Sequence, residues 1–221
     1  MSSGTTEILI IRHGQTAWNK MKRYQGHSDI PLNEKGELQA IALAETLKQE
    51  RLDAIISSDM QRALKTAESI AQWHGLPVVV DRDLRERCYG IFEGMALEEI
   101  ERDYPEHLAR WQAADPDQIF PPGEREGESL RYFYHRALSA LHRWAETHSG
   151  QKIAVVAHFG IIESAYRAAH AIPLGERVRM PVLNTSINRF ALGNGRIEML
   201  AWGEAEHLEP LRQPVEYVKH F

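Results

Sequence analysis

Two histidines and two arginines, far apart along the chain, stand at or just beyond the ends of apolar runs. Arg12 and His13 close the run at 8–11 in EILIIRHGQTAWN, His158 follows KIAVVA, and Arg62 lies four residues past DAIISS. Two guanidinium groups facing one pocket suit an oxyanion, because their N–H forks match phosphate oxygens bidentately. A neutral imidazole within reach of such a phosphoryl group can attack phosphorus and become a phosphohistidine. Cations around the oxygens stabilise the charge that redistributes in the transition state. His13 is read here as that nucleophile. A departing alkoxide also needs a proton. LRERCYGIFEG offers two candidates for the donor, Glu86 and Glu93. Burial among aromatics would raise such a carboxyl's pKa and neighbouring arginines would lower it.

These residues meet only if the fold gathers them. Residues 7–12 read as a short, β-branched, buried strand. Asn33 can cap a helix over 33–51, with Leu38, Ile41, Leu43 and Leu47 as its apolar positions. A strand at 53–58, a helix at 60–74 ended by Gly75, and a short strand at 77–80 follow. The stretch 83–126 breaks this rhythm with glycines and prolines, and carries short helical pieces near 96–103 and 105–114. A long helix over 129–148, a strand at 152–158 and a helix at 160–170 restore it. Strands at 186–192 and 196–202 pair as a hairpin around Gly193-Asn194-Gly195. The tail after 203 is polar and carries no clear pattern.

Alternation of strand and helix implies an α/β, three-layer α/β/α sandwich: a mostly parallel sheet, helices on both faces, an antiparallel edge from the hairpin. One domain over 1–221 is expected, with 91–126 as an insertion or lid. Ligands gather at the carboxyl ends of the strands in such sheets. Arg12, His13, Ser57, Ser58 and His158 all fall there, and Arg62 lies one turn into the next helix. The helix after His13 and the one starting near Met60 are expected to aim free N–H groups at the same anion.

Composition narrows the class. The chain has 221 residues, 43% hydrophobic and 26% charged, with net charge −5. It is long enough for a substantial core, and its acidity argues against nucleic-acid binding. An anionic substrate must then be drawn by a local arginine cluster. A single cysteine, Cys88, excludes an internal disulfide framework. No apolar run approaches the roughly 18–20 residues of a membrane span, and MSSGTTE lacks the regions of a signal peptide. The expected location is the cytoplasm.

Five segments, in order, resemble the histidine phosphatase superfamily, which includes cofactor-dependent phosphoglycerate mutases and broad-specificity phosphatases. They are RHGQTAWN, its continuation RYQGHSDIPLNEKGELQA, SSDMQRALKTAE, LRERCYGIFEG and VVAHFG. The resemblance implies His13 as the phosphorylated nucleophile, with Arg12, Arg62 and His158 gripping the phosphoryl group. It implies Glu86, not Glu93, as proton donor, and Asn19 as a phosphate contact. Gln25 and Gly26 match a loop that often lines the site. It implies no metal and no organic cofactor for hydrolysis. One departure stands out: the family usually has two glycines after the second histidine, and here they read Phe159-Gly160. Phe159 resists the positive φ that glycine tolerates. Either the backbone differs there or the position needs no unusual torsion, and the ring is large enough to narrow the pocket.

Other features read as structural. His135, His142 and His148 share a helix without HExxH spacing. Tyr132, Phe133, Tyr134 and Trp144 read as packing, since no basic groove accompanies them, and Cys88 reads as a packed thiol. The function expected is hydrolysis of a small phosphorylated metabolite, with phosphoglycerate mutase as the alternative. A mutase needs a second cationic subsite and protection from water. The segment 91–126 has Arg102, Arg110 and Arg125 but no lysine, and many glutamates, including Glu93, Glu98, Glu99 and Glu101. That balance favours the phosphatase. A binding-only protein would lack the nucleophile or the acid, and both are present. Phe92, Tyr104, Trp111 and Phe120 suit either an apolar or sugar-like substrate body or simple packing.

Overall fold

Each of the apolar runs becomes a strand of one sheet. The computed structural model describes residues 4–211. In chain order it contains β1 (Thr6–Arg12), α1 (Ala17–Lys20), α2 (Glu34–Leu47), β2 (Ala54–Ser57), α3 (Gln61–His74) and β3 (Val78–Val80). Then come α4 (Leu97–Asp103), α5 (Pro105–Gln112), α6 (Leu130–Thr147), β4 (Lys152–Ala157), α7 (Phe159–Ala169), β5 (Ile187–Gly193) and β6 (Arg196–Glu204). The strand order is β3-β2-β4-β1-β5-β6; the first four are parallel and β5 and β6 run against them. This is the expected α/β layer architecture. The hairpin turns through Asn194 and Gly195, both at positive φ (52° and 70°), as a two-residue primed turn requires.

The uninterrupted apolar runs follow from covering both faces of the sheet. Ile8, Ile10, Ile56 and Val155 face α6 and α7, where Ala137, Leu141, Ile161 and Ile162 close the layer. Leu9, Ile11, Ile55 and Val156 face α2 and α3, meeting Leu43, Leu47, Ala67 and Ile70. Each fully buried isoleucine, leucine or valine among them contributes roughly 1.5–3 kcal/mol. The register pairs Arg12 with Ala157 and Ser57 with Val156, so β1, β2 and β4 end together. The next residues, His13, Ser58 and His158, therefore share one rim.

The helix after Asn33 differs from expectation. Asn33 caps it, accepting from Gly36 N at 2.8 Å, but it ends at Leu47, and Leu38 and Ile41 are exposed. Its inner face is Gly36, Gln39, Ala40, Leu43, Ala44 and Leu47. The reason lies at the rim: a Cβ at Gly36 would come 2.0 Å from Gln15 O, and Gln39 Oε1 accepts from Gln15 N at 2.9 Å. The helix packs on the backbone just after His13, which calls for small and polar residues rather than leucines.

Segment 91–126 builds its own small core from Phe92, Ile100, Leu108 and Phe120, with Tyr104 and Trp111 packed against it. Phe92 and Phe120 are thus packing residues. On α6 Phe133 is buried as expected, whereas Tyr132 is exposed. The tail after 203 completes β6 and forms a 3-10 turn over Glu206–Leu211; residues 1–3 and 212–221 of the expected domain lie outside the described residues.

Candidate active site

His13 follows the last residue of β1 and is 4% exposed. Its Nδ1 lies 2.7 Å from Gly14 O. A carbonyl oxygen can only accept, so Nδ1 carries the proton and Nε2 presents its lone pair. Burial, then Arg62 and Arg12, hold the ring's pKa well below the usual histidine value. The imidazole is therefore neutral and correctly tautomeric for attack. His158, fully buried, caps α7 and lies with its ring centroid 5.2 Å from that of His13. Its Nε2 meets Ser58 Oγ at 2.9 Å, while its Nδ1 has no partner. Burial, Arg62 and His13 depress its pKa too.

The arginines are held by carbonyls rather than carboxylates. Arg12 Nη1 donates to Val182 O at 2.6 Å. Arg62, fully buried, donates from Nη1 to Ser28 O at 2.9 Å and from Nη2 to Gly26 O at 2.8 Å. In both side chains Nε is buried without a partner. Burial, partly offset by the Glu86 carboxylate, lowers the Arg62 pKa to about 10, so it stays cationic at neutral pH. Unpartnered buried donors beside a neutral imidazole form a ready anion site.

Glu86, 9% exposed, sits opposite. Its Oε1 accepts from Arg87 N at 2.8 Å and its Oε2 from Gly160 N at 3.2 Å. Burial raises its pKa against the pull of those two N–H groups and of Arg62 and Arg12, which favours a carboxyl that can give up a proton. Glu93, the other candidate acid, is a clasp: it accepts from His27 N, Ser28 Oγ, Tyr89 N and Cys88 Sγ. Burial and the nearby carboxylates push the Cys88 thiol up to about 12, consistent with a packed, unreactive sulfur.

The Phe159-Gly160 departure is explained. Phe159 opens α7 and is absent from the residues at positive φ, so no glycine is required there. Gly160 is required for space: a Cβ would come 2.3 Å from Glu86 Oε1 and 2.8 Å from the Phe133 ring.

Asn19 has its Oδ1 occupied by Thr16 N, Thr16 Oγ1 and Asn184 Nδ2, so its Nδ2 is the side-chain group left to donate. Gln25 accepts from Thr16 Oγ1 at 2.9 Å, and Gly26 acts through the carbonyl that holds Arg62. The expected helix N-terminal donors are largely taken up within the protein. Asn19 N of α1 goes to Thr16 Oγ1, Gln61 N of α3 to Asp29 Oδ1, and Gly160 N of α7 to Glu86.

Sequence reasoning missed Asn184, which donates to His13 O at 2.9 Å. It stands in an irregular turn where buried, β-branched Thr185 adopts φ 60° and donates its N–H to Arg12 O at 2.9 Å. Such a torsion costs on the order of 1–3 kcal/mol and has no signature in the sequence.

A cavity of about 530 Å³ opens from Glu86 and Gly160. The 91–126 segment lines it only with uncharged residues, chiefly Leu97, Leu108 and Trp111, while Arg177 and Arg179 from the loop before β5 line it too. Among the described residues no group of three or more His, Cys, Asp or Glu could hold a metal, and no helix is long and apolar enough to cross a membrane.

The family model described as histidine phosphatase superfamily (branch 1) matches residues 8–205. Phosphoglycerate mutase-like protein 4 of Arabidopsis thaliana is 40% identical over 206 residues, 92% of this chain and 87% of that protein. The metal-independent phosphoserine phosphatase of the same plant is 36% identical, over 94% of this chain and 85% of its own. Among solved structures, Bacillus stearothermophilus YhfR superposes with a TM-score of 0.83 at 31% identity, covering 92% of this chain and 100% of that one.

Proposed function

The chain belongs to the histidine phosphatase superfamily, and on that premise we propose that it is a metal-independent phosphomonoester hydrolase acting through phosphorylated His13. The carrying observation is the His13 ring: neutral, with Nδ1–H fixed on Gly14 O, beside two arginines whose buried Nε atoms have no partner. His13 Nε2 attacks phosphorus, the P–O ester bond breaks, and Glu86 gives its proton to the leaving oxygen. Water then attacks the phosphohistidine, Glu86 takes up its proton, and inorganic phosphate departs with His13 restored. Arg12, Arg62 and His158 hold the phosphoryl oxygens, and Asn19 adds its amide N–H. Segment 91–126 acts as the lid of a single domain.

The substrate is a small phosphorylated metabolite with a second anionic group. Glu163 in the cavity pairs with Arg167 at 2.8 Å; Arg87, Arg177 and Arg179, three cations against the one carboxylate of Glu176, form no salt bridge among the described residues, nor does Glu176. This observation also supports the mutase alternative, because those arginines supply cations that the 91–126 count did not include. The relative that acts on phosphoserine without a metal favours the hydrolase. The test is hydrolysis of p-nitrophenyl phosphate with quench trapping of an acid-labile phosphate on His13. A panel of phosphoserine, 3-phosphoglycerate and their carboxylate-free analogues is run alongside, with 3-phosphoglycerate isomerisation scored. No turnover and no trapped phosphate between about pH 5 and 8 would overturn the enzymatic reading; isomerisation outrunning hydrolysis would select the mutase.

A further inference from the structure

We infer that Glu93 is a positioning residue that locks the phosphate grip to the proton donor, an inference resting on the hydrolase reading above. Its side chain is 7% exposed. Oε1 accepts from His27 N at 2.9 Å, Tyr89 N at 3.2 Å and Cys88 Sγ at 3.3 Å, and Oε2 accepts from Ser28 Oγ at 2.8 Å. Arg125 Nη1 approaches Oε2 only to 3.7 Å. One carboxylate thus ties residues 27–28 to residues 88–89, mostly through charge-assisted bonds, which are about twice as strong as neutral ones.

Both tied segments lead directly to chemistry. Gly26 and Ser28 supply the two carbonyls that hold the Arg62 guanidinium. Arg62 therefore points where that loop places it. The other segment begins two residues after Glu86. A third link runs between them: His27 Nε2 donates to Glu86 O at 2.9 Å. Gly26 shows how close the clasp sits. Its φ is +50°, and a Cβ there would lie 2.2 Å from Glu93 Oε1 and 3.0 Å from Arg87 O. Without the carboxylate, residues 27–28 and the acid segment keep the His27 bond and the neighbouring Tyr24 pairs to Gly94 and Met95, and the spacing between Arg62 and Glu86 is set less tightly.

The consequence is specific. Loss of Glu93 should weaken oxyanion binding through Arg62 and proton donation through Glu86 together. The test compares wild type with Glu93→Gln and Glu93→Ala. Three quantities are measured: the inhibition constant of inorganic phosphate, and kcat/KM for p-nitrophenyl phosphate and for glycerol 3-phosphate, whose leaving alkoxide needs the proton. The expected result for Glu93→Ala is an inhibition constant raised at least about fivefold. The ratio of the two kcat/KM values should shift at least about tenfold against glycerol 3-phosphate. Glu93→Gln, which keeps an acceptor oxygen, should fall between. A merely structural role would scale both substrates equally and leave the phosphate inhibition constant unchanged, and that result overturns the inference. Movement of only one quantity overturns the coupling. If Glu93→Ala does not fold, Ser28→Ala removes one bond to Oε2 and should move both quantities about twofold in the same directions; no movement there counts against the clasp. Absence of turnover in wild type would strike the hydrolase reading instead, and phosphate affinity by calorimetry would still show whether Glu93 sets the Arg62 grip.

Discussion

The rim at the carboxyl ends of β1, β2 and β4 and the segment 91–126 are built in opposite ways. At the rim, charged and polar groups are buried: His13, His158 and Arg62 are at most 4% exposed, and the arginines are held by backbone carbonyls. In 91–126 the buried groups are mostly aromatic and aliphatic, with Glu93 and Gln118 as the polar exceptions, and other charges lie in pairs such as Arg23–Glu99, Arg102–Asp103 and Arg110–Asp115. Burying polar groups without partners is costly. The rim accepts that cost where a phosphoryl group would supply the missing acceptors. The segment leaves one such atom, Gln118 Oε1, without a partner, and presents the cavity with Leu97, Leu108 and Trp111. On the proposed reading, chemistry belongs to the rim and choice of organic group to the segment.

Three substitutions probe that division. His13→Ala should lower kcat/KM at least about 10⁴-fold on every phosphomonoester, since it removes the proposed nucleophile; steady-state hydrolysis across a panel reads it, and a substrate-selective loss would break the division. Glu86→Gln should lose roughly 10²–10³-fold on an alkyl phosphate and under about tenfold on p-nitrophenyl phosphate, whose leaving group needs little protonation. Equal losses on both would remove Glu86 as the acid. Trp111→Ala should reorder the panel, raising KM about tenfold for the preferred substrate relative to p-nitrophenyl phosphate. Uniform losses on all substrates would place Trp111 in the chemistry instead.

Much of the rim could be read before the fold was seen, because its residues stand at the ends of strands whose apolar runs are unambiguous. Arg12, His13, Ser58 and His158 needed only parallel pairing in register to meet. What could not be read depended on close approach. Gly160 looked like half of a broken glycine pair, and its need comes from the Glu86 carboxyl 2.3 Å from where a Cβ would stand. Leu38 and Ile41 looked like core because periodicity cannot show that the inward face of α2 rests on the backbone at Gln15. The glutamates of 91–126 seemed to make the cavity anionic, yet Glu99 is paired with Arg23 and Glu93 is folded into its clasp. Two of the arginines that line the cavity, Arg177 and Arg179, come from a loop with no pattern at all. Composition reports which charges are present, whereas orientation decides which of them a substrate meets.

The smallest expected effect bears on stability and has a sign that the two regions do not share. His13 has a folded pKa below its unfolded value of about 6.5. Between those values the unfolded chain binds more protons, so stability falls as pH drops through about 6.5 toward the folded pKa. His158, buried likewise, adds the same slope. Glu86 has the opposite sign: its folded pKa is raised, so its contribution is lost as pH rises above about 4.5. In 91–126 the carboxylates whose pKa moves are lowered, Glu99 first by the Ala96 N–H and then by Arg23, Asp103 and Asp115 by arginines, so they titrate only at still lower pH. Thermal midpoints measured from about pH 7.5 to 5 should therefore fall more steeply for wild type than for His13→Ala, while Glu99→Gln should track wild type in slope. Parallel curves for wild type and His13→Ala would mean that the imidazole is as easily protonated in the fold as outside it. The nucleophile would then enter the reaction largely as an imidazolium at mildly acid pH, with no lone pair to offer phosphorus.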